Sequence, residues 1–189
     1  PKGSGSVQVS MYSIISALDS EADSKVKQLR AWLMGQYPTL SETLVLEPHL
    51  SWLSVEKMDV TSVDEKLTQK TQTLSPLHLE TTGFGLFSGV KPVLYLPVIK
   101  TEELAKLHAS LWELLTSEAK NSNLMFRPDQ WLPHISVFYF DEKESAMLGC
   151  ALGEIAKMEF NLQFTIDHLI IAFFKGDQYG QQSIHRFHG

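Results

Sequence analysis

One phrase occurs twice in this chain of 189 residues, and it constrains the fold more than any other feature. The copies read EPHLSWLSV from Glu47 and LPHISVFYF from Leu132. Each has proline, histidine, an aliphatic residue and serine, followed by apolar residues, and the two histidines, His49 and His134, lie 85 positions apart. Packing does not require a histidine in either place. The repetition therefore predicts a duplicated unit, folded about an approximate two-fold axis, in which both copies contribute to one function.

The order of apolar patterns along the chain predicts an α+β fold. Alternation predicts a first strand over residues 7–18, and helical spacing predicts helices capped by Ser20, Ser62 and Thr101 and a fourth over residues 142–158. Both phrases are typical of strands, as are HLETTGFGLF, PVLYLPVI, FNLQFTIDHLIIAFFKG and QSIHRFH. Because each half has a helix near a PH-x-S strand, we expect a bilobal fold in which two antiparallel sheets flank a central cleft, with the helices outside.

Composition is that of one ordinary globular domain. Apolar residues make up 43% and charged residues 20%, which argues against disordered and fibrous classes. No linker rich in Gly, Pro or Ser separates the halves, so we expect residues 7–188 to form a single bilobal domain. Residues 1–6, PKGSGS, are expected to be a disordered tail or a remnant of expression.

Charge and hydropathy limit the partners. The net charge of −6 argues against an extended nucleic-acid track, although it allows a small nucleotide or the end of an RNA. No apolar run approaches the roughly 20 residues that span a bilayer, so no membrane association is expected. A single cysteine, Cys150, excludes an internal disulfide and fits a reducing compartment. We expect a cytoplasmic monomer with Cys150 buried in a helix.

The spacing within each phrase indicates acid–base chemistry at a phosphate. Residues two apart on a strand share a face and lie roughly 6.6 Å apart, so His49 and Ser51 project together, as do His134 and Ser136. One histidine can remove a proton from the attacking water or hydroxyl while the other protonates the leaving oxygen. The serines can donate hydrogen bonds to the non-bridging oxygens. This chemistry requires no metal and no cofactor.

A bare His-x-Ser is a weak signal, and a half-buried structural histidine is the alternative for either copy alone. A third copy, His108 to Ser110, lies in the helix capped by Thr101, where residues two apart diverge, and is expected to be structural or exposed. The chain has no H-E-x-x-H, no zinc-type Cys/His spacing and no G-x-S-x-G. The four remaining histidines lack the pattern and are expected to be structural: His78, His168, His185 and His188.

With these motifs the chain resembles the two-histidine phosphoesterase superfamily. This superfamily includes 2′-5′ RNA ligase-like proteins, cyclic nucleotide phosphodiesterases and 2′,5′-oligoadenylate phosphodiesterases. The resemblance covers about residues 7–175, including PHLSWL, GFGLFSGVKPVLYLPV, WLPHISVFY and IDHLIIAFF. It implies a bilobal α+β fold with the active cleft between the lobes. It also implies that His49 and His134 are the catalytic pair and that Ser51 and Ser136 are the phosphate ligands.

The resemblance also suggests substrate contacts. RNA ligase-like members often have arginine five residues after the second histidine, whereas Tyr139 here is similar to the cyclic phosphodiesterase branch, in which a tyrosine helps to hold the phosphate. Strict alternation would point Tyr139 away from His134, so this role requires a bulge or a twist, and a core tyrosine is the alternative. Aromatic platforms for a base are expected from three further residues, each with a core position as the alternative: Tyr12, Tyr95 and Phe138.

The expected function is that of a metal-independent phosphodiesterase. Its substrate would be a 2′,3′-cyclic phosphate, or a related small cyclic phosphodiester, of a nucleotide or RNA end. One alternative is cleavage of 2′-5′ linked oligonucleotides or another RNA ligase-like activity in the same cleft. The other is a nucleotide-binding module without turnover, although binding alone does not demand both an acid and a base.

Overall fold

A computed structural model describes residues 11–37, 46–175 and 178–189. The tail at 1–6 and the start of the first strand that we predict lie outside these ranges. The helices are α1 Ser20–Gln36, α2 Val60–Thr71, α3 Glu102–Thr116 and α4 Ser145–Ile155. The strands are β1 Met11–Ala17, β2 His49–Met58, β3 Leu77–Glu80, β4 Gly85–Phe87, β5 Val93–Pro97, β6 Ala119–Ser122, β7 His134–Tyr139, β8 Gln163–Ile166, β9 His168–Lys175 and β10 Gln178–Arg186.

The large sheet has eight strands, in the order β10-β9-β1-β2-β7-β5-β4, with β6 paired to β2. A second sheet consists of β3 and β8, and every pairing is antiparallel. The predicted α+β class is therefore confirmed. The two phrases begin β2 and β7, which we expected to face each other across a cleft. They are instead neighbours in one sheet, and their register has a single pair, Leu50 opposite Ile135.

Each motif strand has a bulge directly after its serine. In β2, Leu53 lies opposite Ile14 while Ser51 lies opposite Ile15, so Trp52 is the additional residue. In β7, Phe138 lies opposite Leu94 while Ser136 lies opposite Tyr95, so Val137 is the additional residue. A bulge adds one residue to the alternation and reverses which face the following side chains occupy. The duplication therefore extends to the backbone of the two strands.

Most differences from the predicted elements lie at their ends. The caps of α1 and α2 are Asp19 and Asp59, whose carboxylates accept from backbone N–H groups, instead of Ser20 and Ser62. The predicted cap Thr101 is confirmed. The segment HLETTGFGLF forms two strands, because β3 pairs with β8 whereas β4 pairs with β5. The polar segment SEAKNSN, whose composition is typical of a loop, contains β6 on the edge of β2.

The position of Cys150 also differs from the expectation. The side chain is exposed. The buried residues of α4 near it are Ala151 and Ile155, one turn apart. Cys150 is one residue before Ala151 and is therefore rotated by about 100° from that face. The predicted buried thiol is wrong because the helix has its apolar face one residue further along.

The core is continuous beneath the motif strands. Leu50, Trp52, Ile135 and Val137 are all buried in one cluster with residues of the four helices. This face of β2 and β7 is apolar, so the polar motif side chains must occupy the other face. No helix in the described ranges is both long enough and apolar enough to cross a membrane.

Candidate active site

The single pair between β2 and β7 defines how the four motif side chains are arranged. Leu50 and Ile135 lie opposite each other, and both are fully buried. Their antiparallel neighbours therefore pair crosswise, with His49 across from Ser136 and with Ser51 across from His134. All four are half-buried on the opposite face of the sheet. Directly opposite side chains begin roughly 5 Å apart, a separation that a single phosphate group can span.

Both imidazoles are oriented by the same backbone contact. The Nδ1–H of His49 donates to the carbonyl oxygen of Glu47 at 2.8 Å. The Nδ1–H of His134 donates to the carbonyl oxygen of Leu132, also at 2.8 Å. A carbonyl can only accept, so each contact assigns the hydrogen to Nδ1 and leaves Nε2 for proton exchange. Two rings held as the same tautomer can act as one acid and one base.

Burial lowers the pKa of both histidines. For His49 the desolvation of the ring is the largest cause, and the positive charges of Arg30 and protonated His134 lower the pKa further. For His134 burial again dominates, and the carbonyl of Leu132 opposes it. The effect of His134 on His49 indicates that the two rings lie close enough for the charge of His134 to act on His49. Both rings therefore favour the neutral form at neutral pH.

Tyr139 reaches the motif because of the bulge at Val137. Its hydroxyl donates to Ser136 Oγ at 3.1 Å. The additional residue rotates Tyr139 onto the face that carries Ser136. A bulge of this kind is what the predicted role of Tyr139 at the phosphate requires. The same bulge corrects the prediction for Phe138. That ring is only 5% exposed and packs with Phe140 in the core, so it cannot form a platform for a base.

Two further aromatic rings pack against His134. Tyr95 lies opposite Ser136 and meets the imidazole edge-on, with ring centres 5.3 Å apart. Phe87 stacks on Tyr95 at 4.1 Å and contacts the same imidazole at 4.8 Å. Tyr95 is among the residues predicted from the sequence, whereas Phe87 is not. The available signal was the short apolar strand GLF beside the strand that contains Tyr95.

A cavity of about 260 Å³ opens beside His134 and Ser136. Its walls are mostly apolar or aromatic and include Phe87, Tyr139 and several residues of the segment 123–132. The polar contribution of that segment includes Asn123 and Gln130. The side-chain oxygen of Asn123 accepts from the backbone of Met125, which leaves its amide N–H groups as donors. The cavity therefore suits a flat, largely apolar group with hydrogen-bonding edges.

The family follows from a model of the 2′-5′ RNA ligase superfamily, which matches residues 18–178. The chain belongs to this superfamily. A Bacillus licheniformis protein with a provisional phosphoesterase name is 25% identical over 135 residues, which are 66% of this chain and 75% of that protein. Membership of the superfamily supports phosphodiesterase chemistry in this chain.

Solved structures show the same fold for this member of the 2′-5′ RNA ligase superfamily. E. coli LigT in complex with 3′-AMP has a TM-score of 0.67 and 14% identity, covering 96% of this chain and all of that one. A Thermus thermophilus protein has a TM-score of 0.63 and 15% identity over 95% and 98% of the chains. Usb1 of Kluyveromyces marxianus has a TM-score of 0.54 and 11% identity over 92% and 97%.

Other histidines of this superfamily member lie outside the motif quartet. The third His-x-Ser copy is structural, as expected, because His108 is buried and its Nε2–H donates to the carbonyl of Trp52 at 3.1 Å. Its buried Nδ1 has no hydrogen-bond partner within the described ranges. Desolvation lowers the pKa of His108 to about 4, so the ring is neutral at neutral pH. No described group of three or more His, Cys, Asp or Glu side chains is arranged to hold a metal ion.

Tyr12 is not brought to the quartet. Ser51 lies opposite Ile15, three residues from Tyr12 along β1, which corresponds to about 10 Å. The side chain of Tyr12 packs against the main core. Of the four aromatic contacts expected from the sequence, only Tyr139 and Tyr95 lie beside a motif side chain.

Proposed function

We propose that the chain is a metal-independent phosphodiesterase that opens a 2′,3′-cyclic phosphate, or a related small cyclic phosphodiester, at a nucleotide or RNA end. The observation that carries this proposal is the crosswise quartet, in which each histidine lies across from the serine of the other motif. A nucleotide-binding module needs donors for the phosphate, but it does not need two imidazoles of the same tautomer on both sides of it. The expectation of a cytoplasmic monomer stays a prediction.

Hydrolysis requires one neutral and one protonated ring. The neutral histidine accepts a proton from water through Nε2 as the water oxygen bonds to phosphorus. The protonated histidine gives its Nε2 proton to the ribose oxygen as the phosphorus–oxygen bond of the ring breaks. The product is a phosphomonoester with a free hydroxyl. A bound phosphate supplies the negative charge that favours the protonated form of one ring, despite the burial that disfavours it.

Two serine hydroxyl groups are available as donors to the phosphate oxygens. Ser51 and Ser136 lie on the same face as the histidines, and Tyr139 contacts Ser136. Hydroxyl donors that are fixed before substrate binds stabilise negative charge as it builds on the non-bridging oxygens. The hydrogen bond from Tyr139 to Ser136 Oγ polarises the serine hydroxyl and makes it a stronger donor to the phosphate.

The cavity beside His134 is proposed to hold the nucleoside of the substrate. Its aromatic and apolar walls suit the face of a base, and the amide N–H groups of Asn123 suit acceptors on the edge of a base. A volume of about 260 Å³ fits one nucleoside better than a longer oligonucleotide. This observation favours a mononucleotide or a terminal nucleotide over an extended strand.

The test is turnover of defined substrates in excess EDTA. We expect the protein to convert 2′,3′-cyclic AMP to a single adenosine monophosphate at the same rate with and without chelator. His134→Ala should be inactive, whereas His78→Ala is the matched control, because His78 is exposed and lies on β3, away from the quartet. Loss of activity in EDTA would contradict the metal-free mechanism.

A parallel incubation separates the alternatives. Cleavage of a 2′-5′ linked adenosine oligonucleotide, with no turnover of the cyclic nucleotide, would replace the proposed substrate. If neither substrate is consumed but 3′-AMP raises the melting temperature, the binding module is the better description.

A further inference from the structure

The two catalytic strands share little direct backbone pairing. Their register consists of the one pair formed by Leu50 and Ile135. The histidines and serines flank this pair. Their relative positions therefore depend largely on the contacts that other residues make with the two strands.

On one side, the guanidinium of Arg30 connects the two strands. Arg30 is on α1 and is 8% exposed. Its Nε–H donates to the carbonyl of Val137 at 2.8 Å, and its Nη2–H donates to the carbonyl of Ser136 at 3.0 Å. Its Nη1–H donates to the carbonyl of Leu46, which precedes His49 by three residues, at 2.8 Å. One planar group thus bonds the bulge of the second motif and the approach to the first.

On the other side of the Leu50–Ile135 pair, the rings of Trp131 and His108 support β2 as Arg30 supports β7. The indole N–H of Trp131 donates to the carbonyl of Ser51 at 3.1 Å, and His108 donates to the carbonyl of Trp52, also at 3.1 Å. Both acceptors belong to the bulge of β2. A helix of each half therefore supports the bulge of the other half: α1 through Arg30, and α3 through His108. The two supports differ in charge, because His108 is neutral at neutral pH.

We propose that Arg30 is a positioning residue for the phosphodiesterase reaction, which holds the bulge of β7 against the first motif so that His49 and Ser136 bind one phosphate. This inference rests on the proposed function. The rigid fork of arginine can bond three carbonyls in fixed directions, whereas lysine supplies the charge without that geometry. A misplacement of about 1 Å between reacting groups can lower a rate roughly 100-fold.

The positive charge of Arg30 has an effect on the site that can be measured independently of its hydrogen bonds. It lowers the pKa of His49, which a purely mechanical support would not do. The charged or titratable groups around His49 come from each neighbouring element. Across the sheet, its direct partner on β1 is the uncharged Ala17. The others are Arg30 and Lys27 of α1, Glu47 before β2, His134 of β7, and His168 of β9 through its contact with Ala17.

The experiment compares two substitutions that separate charge from geometry. Arg30→Lys keeps the charge, so we expect kcat for 2′,3′-cyclic AMP to fall by about 10- to 100-fold with the pH profile of kcat/KM unchanged. Arg30→Gln removes the charge as well, so the same fall should be accompanied by a shift to higher pH of the limb that reports His49, which is the acid limb if His49 is the base and the alkaline limb if it is the acid. Arg186→Lys, on the surface, is the matched control and should behave as wild type.

His108→Gln is the comparison for the neutral support. It should leave the pH profile near neutrality unchanged, because the ring it replaces carries no charge there. Thermal melting of every variant gives the folded fraction, and each kcat is corrected for it. Wild-type kcat and an unmoved pH profile in both Arg30 variants would overturn the inference.

A binding measurement keeps the inference separate from the proposed function. NMR of the His49 and His134 ring protons during titration with inorganic phosphate should give one shared dissociation constant in wild type. In both Arg30 variants that constant should rise at least about fivefold, or the two rings should respond separately. If wild type lacks turnover but shows this pattern, the proposed function fails and the positioning role stands. Unchanged coupling of the two rings would overturn the positioning role.

Discussion

Tyr139 donates its hydroxyl hydrogen to Ser136 Oγ at 3.1 Å, although residues three apart on a regular strand point to opposite faces. The bulge at Val137 makes the contact possible by adding one residue to the alternation. Because Ser136 also lies across from His49, the phenol is linked through one serine to both motifs. The equivalent bulge at Trp52 indicates that the irregularity belongs to the repeated unit.

Tyr139→Phe should therefore weaken catalysis without unfolding the protein. The substitution removes one hydroxyl from a half-buried ring, and a hydrogen bond between neutral groups such as this one to Ser136 contributes about 0.5–1.5 kcal/mol. We expect kcat/KM for 2′,3′-cyclic AMP to fall by about two- to tenfold, with the melting temperature nearly unchanged. Tyr12→Phe is the matched control, because Tyr12 lies about 10 Å along the sheet from Ser51. Equal activity of the two variants would exclude a role for the phenol.

Gly85→Ala should displace the aromatic pair that packs on His134. A Cβ at Gly85 would overlap the ring of Tyr95, which lies across it in the sheet. Overpacking of this kind costs about 1–3 kcal/mol of stability and moves the neighbouring ring. We expect a lower melting temperature and a loss of kcat beyond that explained by unfolding.

Gly180→Ala separates the loss of stability caused by overpacking from the loss of kcat caused by displaced rings beside His134. A Cβ there would overlap Phe173 in the same way, on the strand pair β9–β10 and away from the cavity beside His134. Melting curves and kcat of both variants provide the check. A comparable loss of stability with normal kcat per folded molecule is expected for Gly180→Ala. The same kcat loss in both variants would show that Tyr95 does not position the imidazole.

The sequence predicts the features of this site that depend on neighbouring residues. It does not predict those that depend on contacts between distant parts of the chain. The faces of His49 and His134 follow from alternation over two residues, which is regular up to each serine. Alternation failed for Phe138 because nothing in HISVFY reveals the bulge that follows Ser136. The bulge is stabilised by Arg30, which precedes Val137 by 107 positions. Contacts at that separation have no signal in a single sequence.

The N-cap of α1 is a second feature that the sequence alone does not determine. Asp19 and Ser20 are adjacent, and both side chains suit an N-cap, so propensity alone does not choose between them. The structure favours Asp19, whose second carboxylate oxygen also accepts from the backbone N–H of Thr165 on β8. A tertiary contact therefore decides the choice. The same limit applies to β6, since four mostly polar residues become a strand by pairing with β2.

The neutral, buried His108 should make the protein less stable in mild acid. Its folded pKa of about 4 lies below the ordinary histidine value of 6.5, so the unfolded chain binds a proton that the folded chain does not. The stability is complete above pH 6.5 and decreases as the pH falls from 6.5 toward 4. A difference of this size corresponds to about 3 kcal/mol. Denaturant unfolding at several pH values should show a shallower decrease for His108→Gln than for wild type.

Burial of both motif histidines should also move the pH optimum of the reaction. In the proposed mechanism, kcat/KM requires one neutral and one protonated ring in the free enzyme. Both pKa values are lowered, mainly by desolvation, so the rings lose their protons at lower pH than free histidine does. We expect a bell-shaped profile whose maximum lies on the acid side of the ordinary histidine pKa of about 6.5. A maximum in the alkaline range would require a different acid.

Joint action of the two rings makes a final prediction about combined substitutions. His49→Ala and His134→Ala should each abolish nearly all turnover, because either change removes the acid or the base from a step that needs both. The double variant should be little worse than either single one, since the second ring has no partner once the first is lost. The measurement is the single-turnover rate with 2′,3′-cyclic AMP for wild type, both single variants and the double variant. These four rates give the coupling energy between His49 and His134. Independent, multiplying losses would mean that the rings do not act on one phosphorus atom.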